Sequence, residues 1–506
     1  MPWLVGVLTA LVVWYVWGSL AELPIWHDES AYLFQATIFA HGRWSAPAPP
    51  LPEFFEQAYV LVSPTYAAKY PPGNSLALVP GVWLGLPGLV PVVLAGVSGG
   101  LVHALARRLA GGWVALLTWL VWLGTPDNLR FHASYFSEVV TGTLWLGGWW
   151  ALARWRETGR LAWLVTVALA VGWGAITRPV TTVAYVIPVA VVIALECRRR
   201  ARWTQLAPAA AAGLLVLGIV PLWSAETTGD WRVTPLDAYT RDYLPWDYPG
   251  FGIVAPAPRR PLPPDMAAFD RSFRALHAQH TLDRAPLVLA QRGFLVGYNT
   301  WRGWRLALVP FALVGVAALS GAGALGVATA LLLLLAYVTY AHFPSWTVYY
   351  LEVQPVLAFV TACGLVRVAS RLPARAAGAG LAAAAAVLIA DTGMAAPHWR
   401  GLLAGTHAHQ RAFAAAVAHG VSGQSIVFVR YAPDHDVYRS LIVNEPFLDR
   451  SAVWKVYDRG ADNGRLLAMF PERTPYLYDE ATGRLEALAP ASGPHEALRT
   501  VRSATR

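Results

Sequence analysis

The chain alternates between apolar runs of membrane-crossing length and short polar breaks. A helix needs about 20 apolar residues to span a bilayer core. By that measure about eleven spans are expected, near 3–22, 88–106, 112–130, 138–153, 161–177, 180–197, 205–223, 305–320, 322–341, 348–368 and 376–394. Two of the breaks are long. In the first, 23–87, residues 29–41 read as an amphipathic interfacial helix ending at Gly42. Residues 74–85, after Pro71-Pro72-Gly73, are apolar but too short to span, and read as a second interfacial or re-entrant helix. The second break, 224–304, is rich in Pro and aromatics, including Tyr239, Tyr243, Trp246, Tyr248 and Phe251. A loop this long is usually functional. Past 394 the membrane pattern stops. Residues 425–431 and 452–457 read as strands and 463–470 as a helix, which gives a small soluble α/β domain over 395–506. The expected fold is a polytopic α-helical membrane protein, with a transmembrane domain over 1–394 and this α/β domain behind it. The Ala runs at 208–212 and 382–386 read as helix filler, and no internal repeat emerges.

Composition agrees with the pattern. Of 506 residues 56% are hydrophobic and 14% charged, against about 25% charged in soluble proteins. The net charge of +9 would suit a nucleic-acid partner only if it lay on one soluble face. Instead the basic residues fall in bursts between apolar runs. Arg107-Arg108, the group Arg154, Arg156 and Arg160, the run Arg198–Arg200 with Arg202, and the group Arg367, Arg371 and Arg375 all lie on one side of the eleven-span arrangement. The positive-inside rule makes that side cytoplasmic. The N-terminus is then inside, while loops 23–87 and 224–304 and the C-terminal domain are outside the cytoplasmic membrane. The first apolar run lacks a charged leading region and a small-residue cleavage site, so it reads as a retained helix. The two cysteines, Cys197 and Cys363, imply no disulfide framework.

This orientation gathers polar groups on the outer side: Asp28 and Glu29 just after the first span, then Lys69, Glu138, Arg178, His342 and Glu352. Ionisable groups are costly in hydrocarbon, so residues like these belong at the water interface. Arg178 also runs against the positive-inside trend. No GxxxxGK[ST] phosphate loop is present on the cytoplasmic side. An enzyme facing outward has no ready supply of nucleotide sugars, which leaves a lipid-phosphate-linked sugar as the natural activated donor. Such a transfer needs a carboxylate to take the acceptor's proton, cations to stabilise the departing phosphate, and a groove between helices for the lipid.

Five segments, in order, carry a family likeness: Asp28-Glu29 with Tyr32; Lys69-Tyr70-Pro71-Pro72-Gly73; Ser134-Tyr135-Phe136-Ser137-Glu138; Thr177-Arg178-Pro179; and His342-Phe343-Pro344 with Tyr349-Tyr350-Leu351 and Pro355. Over roughly residues 1–395 the chain resembles the C-type integral-membrane glycosyltransferases, the group of the protein O-mannosyltransferases and the lipid A aminoarabinose transferases. The resemblance implies a multi-pass transferase of hexosyl or pentosyl groups, inverting at the anomeric carbon, with a polyprenyl-phosphate sugar as donor and a glycan, lipid or protein hydroxyl as acceptor. It implies Asp28 as the catalytic base, with Glu29 beside it in the catalytic pair. Lys69, Arg178 and His342 would contact the donor phosphate. Glu138, Tyr70, Tyr349 and Tyr350 would bind substrate. A divalent cation, if one takes part, would be held by Asp28, Glu29 and Glu138; no other cofactor is implied.

Blander roles exist for each residue. Asp28 suits a helix cap, Lys69 an interfacial snorkel, Arg178 the position before Pro179 at a helix start, Glu138 a helix dipole, and the tyrosines an aromatic belt. The long Ser/Thr-rich insert of a protein mannosyltransferase is missing, so a protein acceptor does not follow. The tail resembles those of uncharacterised bacterial relatives in Phe428-Val429-Arg430-Tyr431 and Phe470-Pro471-Glu472-Arg473. Its Asp434-His435-Asp436 triplet, in a loop after Pro433, does not read as a metal motif. Competing readings are a transporter or flippase of lipid-linked glycans, or a polymerase. The first would place ionisable residues mid-membrane.

Overall fold

The computed structural model describes residues 1–319 and 321–488. Residue 320, at the end of one expected span, and the last part of the expected C-terminal domain, 489–506, lie outside the described residues. A helix stands at each of the expected spans. Leu89–Ala110, Pro179–Arg200, Trp203–Thr228, Thr347–Ala369 and Ala374–Gly420 are long and apolar enough to cross a membrane by length and composition. Five shorter apolar helices accompany them, among them Pro2–Trp17 and Leu161–Ala175. Their outward faces are apolar, with Trp3, Val7 and Leu11 exposed on the first helix and Leu215 and Leu222 on another. Helices apolar on all faces suit a lipid surround. Two of them cross at Gly315 and Gly364, where a Cβ on either would run into the other's backbone, so small residues set the approach.

Two expected spans end early. Pro2–Trp17 stops at Gly18, whose φ is 86°, and the helix expected over 112–130 closes at Leu123. Pro126 lacks an amide hydrogen and cannot continue that helix. It starts a short helix, Pro126–Phe131, instead.

The first long break holds the two expected helices, His27–Ala40 and Gly73–Trp83. Between them lies a small antiparallel sheet of Ala46–Pro47, Thr65–Ala68 and Val60–Leu61. His27–Ala40 is not an interfacial amphipathic helix. Ten of its fourteen residues are buried, because protein covers the side expected to face lipid or water. Phe34 and Ile38 share a core with Phe54, Ile426, Phe428 and Trp454, the last three from the C-terminal sheet.

That sheet runs Val453–Tyr457, Ser425–Arg430, Thr474–Asp479, Arg484–Ala487. The first three strands are parallel and the last is antiparallel to its neighbour. The expected helix appears as Asn463–Met469. No break separates this region from the membrane helices at 394: Ala374–Gly420 is one helix of 47 residues.

The second long break folds into helices Pro235–Asp242, Pro264–Gln279 and Ala285–Trp301. Its aromatics form a core in which Tyr239 stacks on Tyr243 at 4.3 Å and Trp246 on Phe273 at 5.3 Å. Ala285–Trp301 exposes Leu287, Phe294 and Tyr298 along one stripe while burying Arg292, Val296 and Thr300. This is the pattern of a helix lying against lipid.

Candidate active site

A cavity of about 730 Å³ opens at the start of His27–Ala40. Its walls bring together Asp28, Lys69, Tyr70, Glu138, Arg178 and Tyr349 from segments far apart in sequence. Sequence reasoning named all six.

Asp28 sits in the first turn of its helix and faces the cavity. Tyr70 donates its hydroxyl to Asp28 Oδ1 at 2.6 Å. Burial pushes the Asp28 carboxyl above its ordinary value, against the opposing pull of the Tyr70 hydroxyl and the Lys69 and Arg178 charges. Glu29, expected to act beside it, points away and does not line the cavity. Its Oε2 accepts from the Ile25 and Trp26 amides at 2.9 and 3.1 Å, and its Oε1 accepts from the Tyr135 amide at 3.0 Å. The helix-capping role that suited Asp28 therefore belongs to Glu29, which closes the first turn and ties it to the segment before Glu138.

Lys69 follows the strand Thr65–Ala68, and its backbone amide is held by Tyr59 O at 2.9 Å. Its ammonium meets Asp247 Oδ2 at 2.5 Å and lies 4.0 Å from the centre of the Tyr59 ring. Tyr340 donates to the other Asp247 oxygen at 2.6 Å. Burial works to raise the Asp247 carboxyl, but Lys69 and Tyr340 outweigh it and hold it below its usual range. Arg178, just before the helix started by Pro179, donates to Glu138 Oε1 at 2.7 Å, to Ser137 Oγ at 3.2 Å and to the Tyr337 hydroxyl at 2.6 Å. Tyr349 lies beneath its guanidinium, 5.2 Å from ring centre to Cζ. Tyr32 ties the two halves together by donating to Ser137 Oγ at 3.0 Å. Lys69 and Arg178 thus each stand opposite a carboxylate, a charge-assisted geometry that fixes both cations before any ligand arrives.

His342 and Tyr350 do not reach the cavity. His342 is buried with the Tyr350 hydroxyl 3.2 Å from Nε2 and the Tyr349 ring at 4.6 Å. Burial holds its imidazole well below its ordinary pKa, with Arg292 adding to the effect, so it is neutral. Its position backs Tyr349 and offers no charge to a phosphate. The fully buried Tyr350 packs edge-on against Tyr337 and His342, each at 5.8 Å. Glu352 is also buried away from the cavity, accepting from Thr141 Oγ1 at 2.5 Å.

The three carboxylates that would hold a divalent cation, if one takes part, do not converge. Asp28 is bonded to Tyr70, Glu29 to backbone amides and Glu138 to Arg178. Among the described residues no group of three or more His, Cys, Asp or Glu is arranged around a common metal position.

Sequence reasoning missed several lining residues. Asp247 lay inside the aromatic run of the second break, a Trp-Asp-Tyr between Pro245 and Pro249. Arg130 was hidden by being counted into a span. Tyr438 comes from the C-terminal region and packs edge-on to Phe269, Phe273 and Trp346. Beside it, Val437 O lies 2.8 Å from His27 Nε2, and Arg439 pairs with Trp26 in a β-bridge.

No curated protein sequence matches the chain. Residues 85–224 match the family model of dolichyl-phosphate-mannose-protein mannosyltransferases. Among solved structures, ArnT from Cupriavidus metallidurans bound to undecaprenyl phosphate superimposes with a TM-score of 0.51 at 15% identity, covering 97% of this chain and 98% of that one. The same protein in the apo state gives 0.56 at 16% identity, covering 93% and 88%. The chain therefore has the ArnT fold over nearly its whole length, a fold of the C-type membrane glycosyltransferases that its five motifs resemble.

Proposed function

We propose that the chain transfers a sugar from a polyprenyl-phosphate-linked donor to a hydroxyl acceptor at the outer face of the cytoplasmic membrane. In this reading the chain crosses the membrane about eleven times, with its N-terminus inside. The observation that carries the proposal is Asp28. It is a carboxylate facing a large cavity, oriented by Tyr70, with two pre-positioned cations close enough to act on its charge. Capture of undecaprenyl phosphate by the solved ArnT supports a lipid phosphate as the donor's leaving group.

Asp28 takes the proton from the acceptor hydroxyl while that oxygen attacks the anomeric carbon from the face opposite the phosphate. The carbon–oxygen bond to phosphate breaks, its electron pair leaves with the polyprenyl phosphate, and the configuration inverts. Lys69 donates one bond, to Asp247, so its remaining protons are free to meet the departing oxygen. Arg178 adds positive potential, and Tyr349 and Tyr337 fix where it lies. Glu29 acts as a positioning residue through the backbone it binds. Hexose or pentose, and the identity of the acceptor, are matters of how the sugar fits the wall beyond Asp28.

The test is transfer of labelled sugar from a panel of polyprenyl-phosphate donors by purified protein, with Asp28→Asn alongside. Turnover or slow donor hydrolysis by the wild type, lost in a folded Asp28→Asn, is the expected result. Movement of lipid-linked glycan across vesicles with no turnover, unaffected by Asp28→Asn, would replace the transferase with a transporter.

A further inference from the structure

Three cations line the cavity, on three different walls: Lys69, Arg178 and Arg130. Asp247 and Glu138 occupy the first two. Among the described residues Arg130 has neither an ion pair nor a hydrogen-bond partner. A half-buried guanidinium that stays unpaired is costly, because five donors must be desolvated together. The carboxylates nearest to it in the chain and in the fold are committed elsewhere. Asp127, three residues earlier in the same short helix, receives Asn299 Nδ2 on both oxygens at 3.1 and 3.0 Å. Glu29 is filled by three backbone amides.

The wall itself is rigid. Asn299 also donates to Thr347 Oγ1 at 2.9 Å, so the Pro126–Phe131 helix is clamped to the segment that carries Tyr349. The Phe131 ring, 5.0 Å from the Arg130 guanidinium, packs against Phe136. The backbone that carries Arg130 is thus held in place, and its guanidinium lines the cavity without an ion pair like those of its two companions, Asp127 and Glu29 acting on its charge only from beyond contact distance. Arg130 also stands beyond the third span, on the side where the positive-inside trend disfavours arginine.

We propose that Arg130 is a substrate-binding residue that takes an oxyanion of the bound substrates, a phosphate or carboxylate. This deepens the transfer reading above and rests on it. Two sources share that chemistry: the lipid phosphate of the donor, and an acidic group on the acceptor. Arg suits either through its forked donors.

The experiment measures binding by the purified full chain in detergent, for wild type, Arg130→Gln, Arg130→Lys and Lys69→Met. The probes are undecaprenyl phosphate and, with that lipid saturating, N-acetylglucosamine 1-phosphate; ligand-free thermal unfolding is recorded for each variant. Removing a charged hydrogen bond weakens binding about 10- to 100-fold. A loss of that size for the lipid in Arg130→Gln, partly restored in Arg130→Lys, places Arg130 on the donor phosphate. An unchanged lipid affinity with loss of the phosphosugar places it on the acceptor. With no ion pair or hydrogen bond to lose, and only the Phe131 ring contact given up, Arg130→Gln should unfold close to wild type. Unchanged binding of both probes, or an early-unfolding variant with normal binding, overturns the proposal and makes Arg130 a packing residue. If Lys69→Met still loses the lipid in that case, the transferase reading survives. If wild type binds neither probe, both readings fall.

Discussion

Gly73→Ala would test how the two cation-bearing segments are coupled. Gly73 begins the helix after Lys69 and Tyr70, and its amide donates to Ile176 O at 2.7 Å, two residues before Arg178. A Cβ at 73 would stand 2.8 Å from Ile176 O and 3.0 Å from Ile176 C, and closer still to Thr177 Oγ1. Ordinary contact would require the Ile176 carbonyl to retreat by about 0.6 Å and the Thr177 hydroxyl further. Neither moves cheaply. Thr177 Oγ1 donates to Trp173 O at 2.7 Å, and the Arg178 amide to Gly174 O at 2.7 Å. The displacement passes instead into the Thr177–Arg178 turn and separates Arg178 from Lys69. Overpacking of this kind costs about 1–3 kcal/mol, and a misplacement near 1 Å costs on the order of 100-fold in rate. Tryptophan-fluorescence unfolding and labelled-sugar transfer should both fall for Gly73→Ala. Gly73→Ala/Thr177→Ala should recover part of each, since it removes the worst clash. A Gly73→Ala protein with wild-type stability and turnover would refute the idea that this contact sets the spacing of the two cations.

Three further outcomes follow. Breaking the buried Glu138–Arg178 pair by Glu138→Gln or Arg178→Gln should each cost about 3–5 kcal/mol, and the double variant should cost less than their sum, as a double-mutant cycle in chemical denaturation would read. Activity should fall on the acid side as Asp28 protonates, at a pH above that of an ordinary aspartate because its carboxyl is raised; Tyr70→Phe removes a bond that favours the carboxylate, so the acid limb should move to still higher pH in a pH–rate profile. Phe428→Ala, at a fully buried position shared by the C-terminal sheet and the His27–Ala40 helix, should cost about 3–5 kcal/mol and loosen that sheet first, visible as faster hydrogen exchange in strand Ser425–Arg430.

Much of this architecture was legible as hydrophobic pattern, since helix position follows from the length of apolar runs. The breaks were harder. The Glu29 side chain reads like a second catalytic carboxylate, because sequence gives adjacency and not direction: successive residues on a helix turn about 100° apart, so Asp28 faces the cavity while Glu29 faces the backbone behind it. Burial of His27–Ala40 was invisible for a related reason. Its cover comes from residues such as Phe428, some four hundred positions away, and no local periodicity encodes that. His342 looked like a phosphate ligand by its place in a motif, whereas its surroundings make it a neutral prop for Tyr349. Asp247 and Arg130 carry charge in segments whose composition spoke for aromatics and for a span, so only the assembled cavity picks them out.

The contact between His27 and Val437 joins residues 410 positions apart, and with Tyr438 it completes one wall of the cavity. Contacts of such sequence separation form late, after the long loop between them has been closed. During synthesis the first helices and Asp28 emerge hundreds of residues before the segment that seals them. The half-built chain therefore holds Asp28 beside an incomplete wall, and the cavity is complete only once the segment of Val437 and Tyr438 has folded back onto the first helices. A chain ended just after Ala374–Gly420 keeps the long apolar helices and loses this wall of the cavity.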